Sequence, residues 1–415
     1  MAGSVFLEGI GELATPVGFS ARRGSAMSEL RVVSDACILA IDGVVRWAGL
    51  ASEAPEPPAG VVSVDAGGRA VVPGFVDSHA HFVFGGFRAD EFYWRADGLP
   101  YMEIHARGGG IRRSVDATRA ASFEELAAIG GKRLDTALSL GVTTMEGKSG
   151  YGLDRDTELR QLEVMRQLSE RHPIDIVPTY MGPHSVPPEF AGKPSAYVDF
   201  CIETVLPEVA RRGLARFADV FCEKGVFELE DSRRFLEAAA RAGLGLKMHA
   251  DEIVRIGGAG LAAELGATSA DHLLKASAED IAAMSASGTV ATVLPLTAFS
   301  LREPYADARG MIDAGCAVAL ASDLNPGSCY SQAIPLAFAL AVLQMRMSPE
   351  EALCAATLNG AAALGMADSV GSIEAGKKAD FLILDAPSHL HLAYHVGMNQ
   401  VRSVYKSGVL VHGPK

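Results

Sequence analysis

Between residues 75 and 322, short apolar runs alternate with longer amphipathic stretches, and this alternation limits the possible folds more than any other feature of the chain. The runs lie at 75–81, 142–147, 175–182, 218–223, 245–250, 268–272, 289–294 and 316–322, and each is rich in β-branched residues or Ala. Helical stretches fall between most of them, as at 157–171 and 231–242. Strands that repeat with helices between them predict a parallel sheet, because parallel neighbours need a crossover connection. Eight such units over about 250 residues fit a (β/α)8 barrel. A doubly wound sheet is the structural rival. No GxGxxG follows the first run, however, and Gly108-Gly109-Gly110 is an isolated triplet in a loop.

The two ends of the chain have a different texture. ACILAIDGVVRWAG holds two apolar runs parted by Asp42-Gly43, a strong hairpin signal. After a helical stretch at 349–364, the segment from Gly371 to Asp385 and the closing VRSVYKSGVLVHG return to strands and turns. The expected fold is therefore α/β. A (β/α)8 barrel spans 71–365, and a small β-sandwich domain is formed jointly by 1–70 and 366–415.

Composition narrows the function. A net charge of −13 gives no general attraction for nucleic acid or for an anionic membrane. No apolar stretch approaches the roughly 20 residues of a membrane span. Residues 1–16 lack the basic start and cleavable apolar core of a signal peptide. The six cysteines form no CxxC pair and are expected to be buried, reduced thiols in a cytoplasmic protein. An anionic small molecule would need a local cationic anchor.

The chemistry gathers where the strands end. Asp77-Ser78-His79-Ala80-His81 closes the first run, and on a strand residues i and i+2 share a face about 6.5–7 Å apart. Two imidazoles at that spacing can reach one ion through bonds of about 2.0–2.1 Å. An HxH triplet also arises by chance, but this one falls at the C-terminal rim, where barrel enzymes carry their active sites. The other runs supply matching groups: His249 through Glu252 after the fifth, Asp271-His272 at the sixth and Asp323 at the eighth. Taken singly, a strand-end His is usually a satisfied core residue and a strand-end Asp a helix cap. Four rim positions with titratable groups are hard to ascribe to accident. Three histidines and one aspartate suit Zn or Fe with an open water position.

These segments, PGFVDSHAH, HADE, SADHL and SDLNPGS, resemble the amidohydrolase superfamily. Within it, FRADEF, YMEIHARGGGI, EGKSGYGLD and SDLNPGS are similar to the branch that opens an imidazolone ring in histidine degradation. The similarity spans nearly the whole chain. Ser78 and Ala80 stand where that branch has Pro and Thr, and Met181-Gly182-Pro183-His184 replaces its LGAH.

The resemblance implies one divalent or trivalent ion, Zn or Fe, held by His79, His81, His249 and Asp323. His272 is the candidate base for the water, with Asp323 sharing the proton, and Glu252 is placed to shuttle it to the leaving nitrogen. The implied substrate is 4-imidazolone-5-propionate, an anionic small molecule hydrolysed to N-formimidoyl-L-glutamate. Its carboxylate would meet Arg88, which could otherwise be a surface ion pair with Asp90 or Glu91. Tyr101, Tyr151, His184 and Glu252 would contact the substrate, and Asn325, Gly327 and Ser328 the product. Glu223-Lys224, at the end of the fourth run, reads as a structural ion pair. A homodimer is the expected assembly. Two other functions share these motifs: a deaminase of a guanine- or cytosine-like base, and a non-catalytic barrel used as a scaffold. Arg88 and KSGYGL favour the imidazolone, and the full set of expected ligands disfavours the scaffold.

Overall fold

Residues 3–98, 103 and 109–414 are described here from a computed structural model. The chain opens with β1 (Val5–Pro16), β2 (Leu30–Ile41), β3 (Val44–Leu50), β4 (Val62–Asp65) and β5 (Ala70–Pro73). Then come β6 (Phe75–Asp77), β7 (Val142–Lys148), β8 (Asp175–Tyr180), β9 (Phe217–Ala218) and β10 (Phe221–Cys222). They are followed by β11 (Gly245–Ala250), β12 (Ser269–His272), β13 (Val290–Val293) and β14 (Val318–Leu320). The last three are β15 (Phe381–Leu384), β16 (Val401–Lys406) and β17 (Val409–His412).

The first five strands and the last three share one sheet, joined where β5 pairs with β1 on one side and β15 on the other. Asp42 and Gly43 both take positive φ, 50° and 79°, as a two-residue hairpin turn requires. Leu7, Leu13, Ile38, Val71 and Phe381 close a separate apolar cluster within this sheet, and Phe381 stacks on Tyr405 at 4.6 Å. Seven of the eight strands thus hydrogen-bond as one continuous path around a core of their own, and β4 joins it by pairing with β1.

β6 to β14 pair in parallel, in the order β6, β7, β8, β9, β11, β12, β13, β14. Every residue of β7 is buried, as befits a parallel strand covered on both faces. The ring closes between its first and last members. His81 N–H donates to Leu324 O at 2.7 Å, and Asp323 N–H donates to His79 O at 2.9 Å. This closure excludes the doubly wound sheet. The fourth stave is divided into β9 and β10 by Asp219 and Val220, a break with consequences for the site.

Helices cover the barrel where the amphipathic pattern lies. One runs over Arg155–Arg171, started by Asp154 accepting from Thr157 N–H at 2.8 Å, and another over Leu229–Arg241. The stretch 349–364 is a single helical path interrupted by a wide π turn at Ala355–Asn359. Ser348 and Glu351 form a capping box at its start. All six cysteines are buried and free. Among the described residues no helix is long and apolar enough to cross a membrane.

Candidate metal centre

Five imidazoles converge at the C-terminal rim of the barrel. His79 and His81 lie just beyond β6, their rings 5.6 Å apart, held extended by the two hydrogen bonds that close the barrel. The ring of His249, on β11, lies 4.4 Å from His79 and 5.7 Å from His81. His272 ends β12 at 5.2 Å from His79 and 5.0 Å from His249. His184, four residues past β8, stacks on His81 at 5.1 Å. Asp323, just past β14, places Oδ1 3.5 Å from His79 Nε2, and its Oδ2 accepts from Thr297 Oγ1 at 2.7 Å. Backbone strain collects here too: Asp251, His272, Leu273 and Asp323 have φ of 49°, 75°, 62° and 51°.

Four of the five rings have Nδ1 fixed by an acceptor. His79 Nδ1 lies 2.7 Å from Asp271 Oδ2, and His249 Nδ1 lies 3.1 Å from both oxygens of Asp219. His81 Nδ1 is 3.3 Å from Ser149 O, and His184 Nδ1 is 2.9 Å from Gly150 O. A proton held on Nδ1 leaves the Nε2 lone pair free, the tautomer a metal ligand needs. Burial, then nearby positive charge, hold His79, His81 and His249 well below the ordinary histidine range. Burial likewise lowers His184 and His272 to about 4. The rings are therefore neutral. His79 Nε2 is buried without a hydrogen-bond partner among the described residues. One atom from each of His79, His81 and Asp323 falls within 4.8 Å of the others, and so do two overlapping sets, His79 with His249 and His272, and His81 with His184 and His249. This donor set fits a metal ion of the nitrogen- and oxygen-binding class.

The remaining groups fall into two layers. Glu252 follows His249, with Oε1 3.6 Å from His272 Nδ1, and burial, then Asp323, push its carboxyl up to about 8. Neither nitrogen of His272 has a hydrogen-bond partner. Tyr151 is buried edge-on to His81 and His184 at 5.4 and 5.1 Å, and burial holds its hydroxyl protonated. Further out lies a cavity of about 740 Å³ lined by Arg88, Arg95, Phe299, Gly327, Ser328 and Tyr330. Arg88 packs so closely on Gly327 that a Cβ there would lie 2.4 Å from its Nη1.

Several expectations change on contact with the structure. Arg88 forms the ion pair with Glu91, through Nε at 2.9 Å and Nη2 at 2.6 Å, while Asp90 pairs with Arg113 instead. Arg88 nonetheless faces the cavity. Asn325 turns inward: its Oδ1 accepts from Gly327 and Ser328 N–H at 2.8 and 2.7 Å, so it shapes the loop that bears them. Pro183 leaves the His184 loop ordered, its carbonyl accepting from Phe221 N–H at 2.9 Å. Glu223 makes no ion pair with Lys224. Its carboxylate accepts from Ile253 and Val254 N–H at 2.8 and 3.1 Å, which anchors the loop carrying Glu252. Tyr101 lies outside the described residues.

The family model that describes the amidohydrolase family matches residues 70–411. The chain belongs to the amidohydrolase family. Two amidohydrolase relatives, both imidazolonepropionases, are 54% identical to it. One, from Bacteroides fragilis, aligns over 410 residues, covering 96% of this chain and 97% of the relative. The other, from Parabacteroides distasonis, covers 98% of each. Among solved structures, a 5-methylcytosine deaminase from Klebsiella pneumoniae liganded with 5-fluorocytosine superposes with a TM-score of 0.74 at 17% identity, covering 99% of this chain and 98% of that one. At that identity the likeness establishes a shared fold.

The sequence names Asp271 at the rim but gives no role to the layer of charge it belongs to beneath the rings. Glu146, Lys148, Asp219, Lys247 and Asp271 are all fully buried inside the barrel. The signal was present, since Glu146/Lys148 and Lys247/His249 alternate inward through otherwise apolar strands. Asp219 has no such pattern, because the break between β9 and β10 is what turns it toward His249.

Proposed function

We propose that this chain is an imidazolonepropionase, hydrolysing 4-imidazolone-5-propionate to N-formimidoyl-L-glutamate. The observation that carries the reading is the cluster of five histidines, four with Nδ1 fixed by an acceptor, set beside a cavity with an arginine on its wall. The relatives' shared name and near-complete coverage supply the substrate.

His79, His81, His249 and Asp323 are the residues assigned to hold the ion, a zinc or an iron. A bound ion of this class polarises water and brings its pKa toward neutrality. His272 lies beside these residues with both ring nitrogens unengaged, and so is the group to accept the water proton. Glu252 is 3.6 Å from His272, near enough to receive that proton and deliver it to the departing ring nitrogen. The new C–O bond forms at the ring carbonyl and the adjacent C–N bond breaks. The carbonyl carbon becomes the α-carboxylate, and the nitrogen stays on the formimidoyl group. Arg88 draws the propionate carboxylate, with the Gly327 and Ser328 segment beside it, while Tyr151 and His184 border the ring. Tyr101 is assigned to the same pocket. Asn325 serves by holding the product-side loop.

The reading extends to a cytoplasmic homodimer with a barrel over 71–365 and a composite end domain of 1–70 and 366–415. Turnover in water labelled with heavy oxygen tests the chemistry. One label should enter the α-carboxylate of the product and no ammonia should form. Stoichiometric ammonia would point instead to a deaminase.

A further inference from the structure

One ammonium sits under two of the proposed metal ligands. Lys148 ends β7 with no exposed surface. Its Nζ donates to Asp219 Oδ2 at 2.6 Å, to Asp271 Oδ2 at 3.3 Å and to Glu146 Oε1 at 3.1 Å. Asp271 Oδ2 is also the atom that fixes His79 Nδ1, and Asp219 is the carboxylate that fixes His249 Nδ1. Two histidines on different strands thus have acceptors gripped by the same cation. Lys247 adds positive charge beside Asp271 but donates a hydrogen bond to neither aspartate. Its Nζ is 3.0 Å from Glu146 Oε2 and 2.9 Å from Ser78 O, but 3.9 Å from Asp271.

The physical requirement is clear. Three carboxylates buried this deeply repel one another unless cations lie among them. A carboxylate released from the shared ammonium is free to turn away from Nδ1, and the imidazole it holds then loses its aim.

We propose that Lys148 is a shared positioning residue: by gripping Asp219 and Asp271 it sets the aim of His249 and His79 together. The proposal rests on the metal reading above. Lys148 touches neither substrate nor the assigned ligands and acts through the two carboxylates.

The test compares the wild type with Lys148→Met, and with Lys148→Gln should the Met variant fail to fold. Zinc affinity is read by chelator competition, and the visible spectrum of the cobalt-loaded protein reports the ligand field. Loss of one outer-shell partner typically lowers metal affinity 10- to 100-fold. With two histidines affected, zinc should bind the variant at least about 10- to 100-fold more weakly, and the cobalt spectrum should change. Asp271→Asn combined with Lys148→Met should lose less affinity than the two single losses added together. A folded variant with wild-type zinc affinity and an unchanged cobalt spectrum overturns the proposal and leaves Lys148 as buried charge balance. A wild type that binds neither metal overturns the metal assignment itself, and this one with it.

Discussion

Arg88→Met separates two roles that the structure gives one side chain. Arg88 pairs with Glu91 and also faces the cavity assigned to the substrate carboxylate. A charge-assisted hydrogen bond is worth about 1.5–3 kcal/mol, so KM should rise roughly 10- to 150-fold with metal content unchanged. The same substitution takes the charged partner from Glu91, whose side chain is only 4% exposed and, among the described residues, still accepts from the Gly110 N–H at 3.1–3.2 Å. Breaking a buried pair from one side costs about 3–5 kcal/mol. With an unfolding entropy of about 2.1 cal/mol/K per residue, a chain of this length should lose about 3–6 °C in Tm. Neutralising the orphan, as in Arg88→Met with Glu91→Gln, should restore most of the Tm and leave KM high. Steady-state kinetics and thermal unfolding on the two variants decide the matter. A wild-type KM in Arg88→Met, or a KM that recovers together with Tm in the double variant, would refute a substrate role and leave only the ion pair.

Other outcomes follow from the same geometry. His79→Ala should lose bound metal and turnover together while keeping its circular dichroism, and stoichiometric metal in an active variant would contradict the ligand assignment. His272→Ala should lower kcat by about 10²–10⁴ with metal retained. Glu252→Gln should lower kcat and raise KM; a dead Glu252→Gln beside a near-normal His272→Ala would make Glu252 the base. Asp175, at the start of β8, meets Lys378 and Lys406 of the end segment at 2.7 and 2.6 Å, and these charges hold its carboxyl below the usual aspartate range. Its stabilising effect is complete above the unfolded aspartate pKa of about 3.9 and is lost as pH falls through the lower folded value. Asp175→Asn should therefore lower Tm at pH 7 and make little difference in strong acid, and an equal drop at both would rule out this ion cluster as the cause.

The barrel was legible because its signals are local and repeated. Each of the eight apolar runs between residues 75 and 322 contains or overlaps a strand of the closed ring. The rim histidines were legible because a two-residue period on a strand sends both to one side. The ion pairing of Arg88 was open in the sequence, since Asp90 and Glu91 are both close in the chain and helical spacing favours Glu91 only if a helix starts there. What chose Glu91 was burial against Gly110, a contact between separate segments. Asn325 looked free to meet a ligand because a sequence does not reveal that its amide folds back on Gly327 and Ser328. Asp219 was invisible for a similar reason: its role depends on a strand break, and no short-range pattern announces one. The buried lysines lay in plain view inside apolar strands, but charge there has meaning only once the barrel closes around it.

The central claim is metal-dependent opening of the imidazolone ring, and one measurement addresses it most directly. Freshly prepared 4-imidazolone-5-propionate is followed by its ultraviolet absorbance, with the native protein, after removal of metal by chelator, and after readdition of zinc or iron. The account predicts loss of absorbance with one equivalent of N-formimidoyl-L-glutamate, abolished by metal removal and restored by readdition. Full activity in demonstrably metal-free protein, or no turnover of this substrate by the metal-loaded protein, would contradict it.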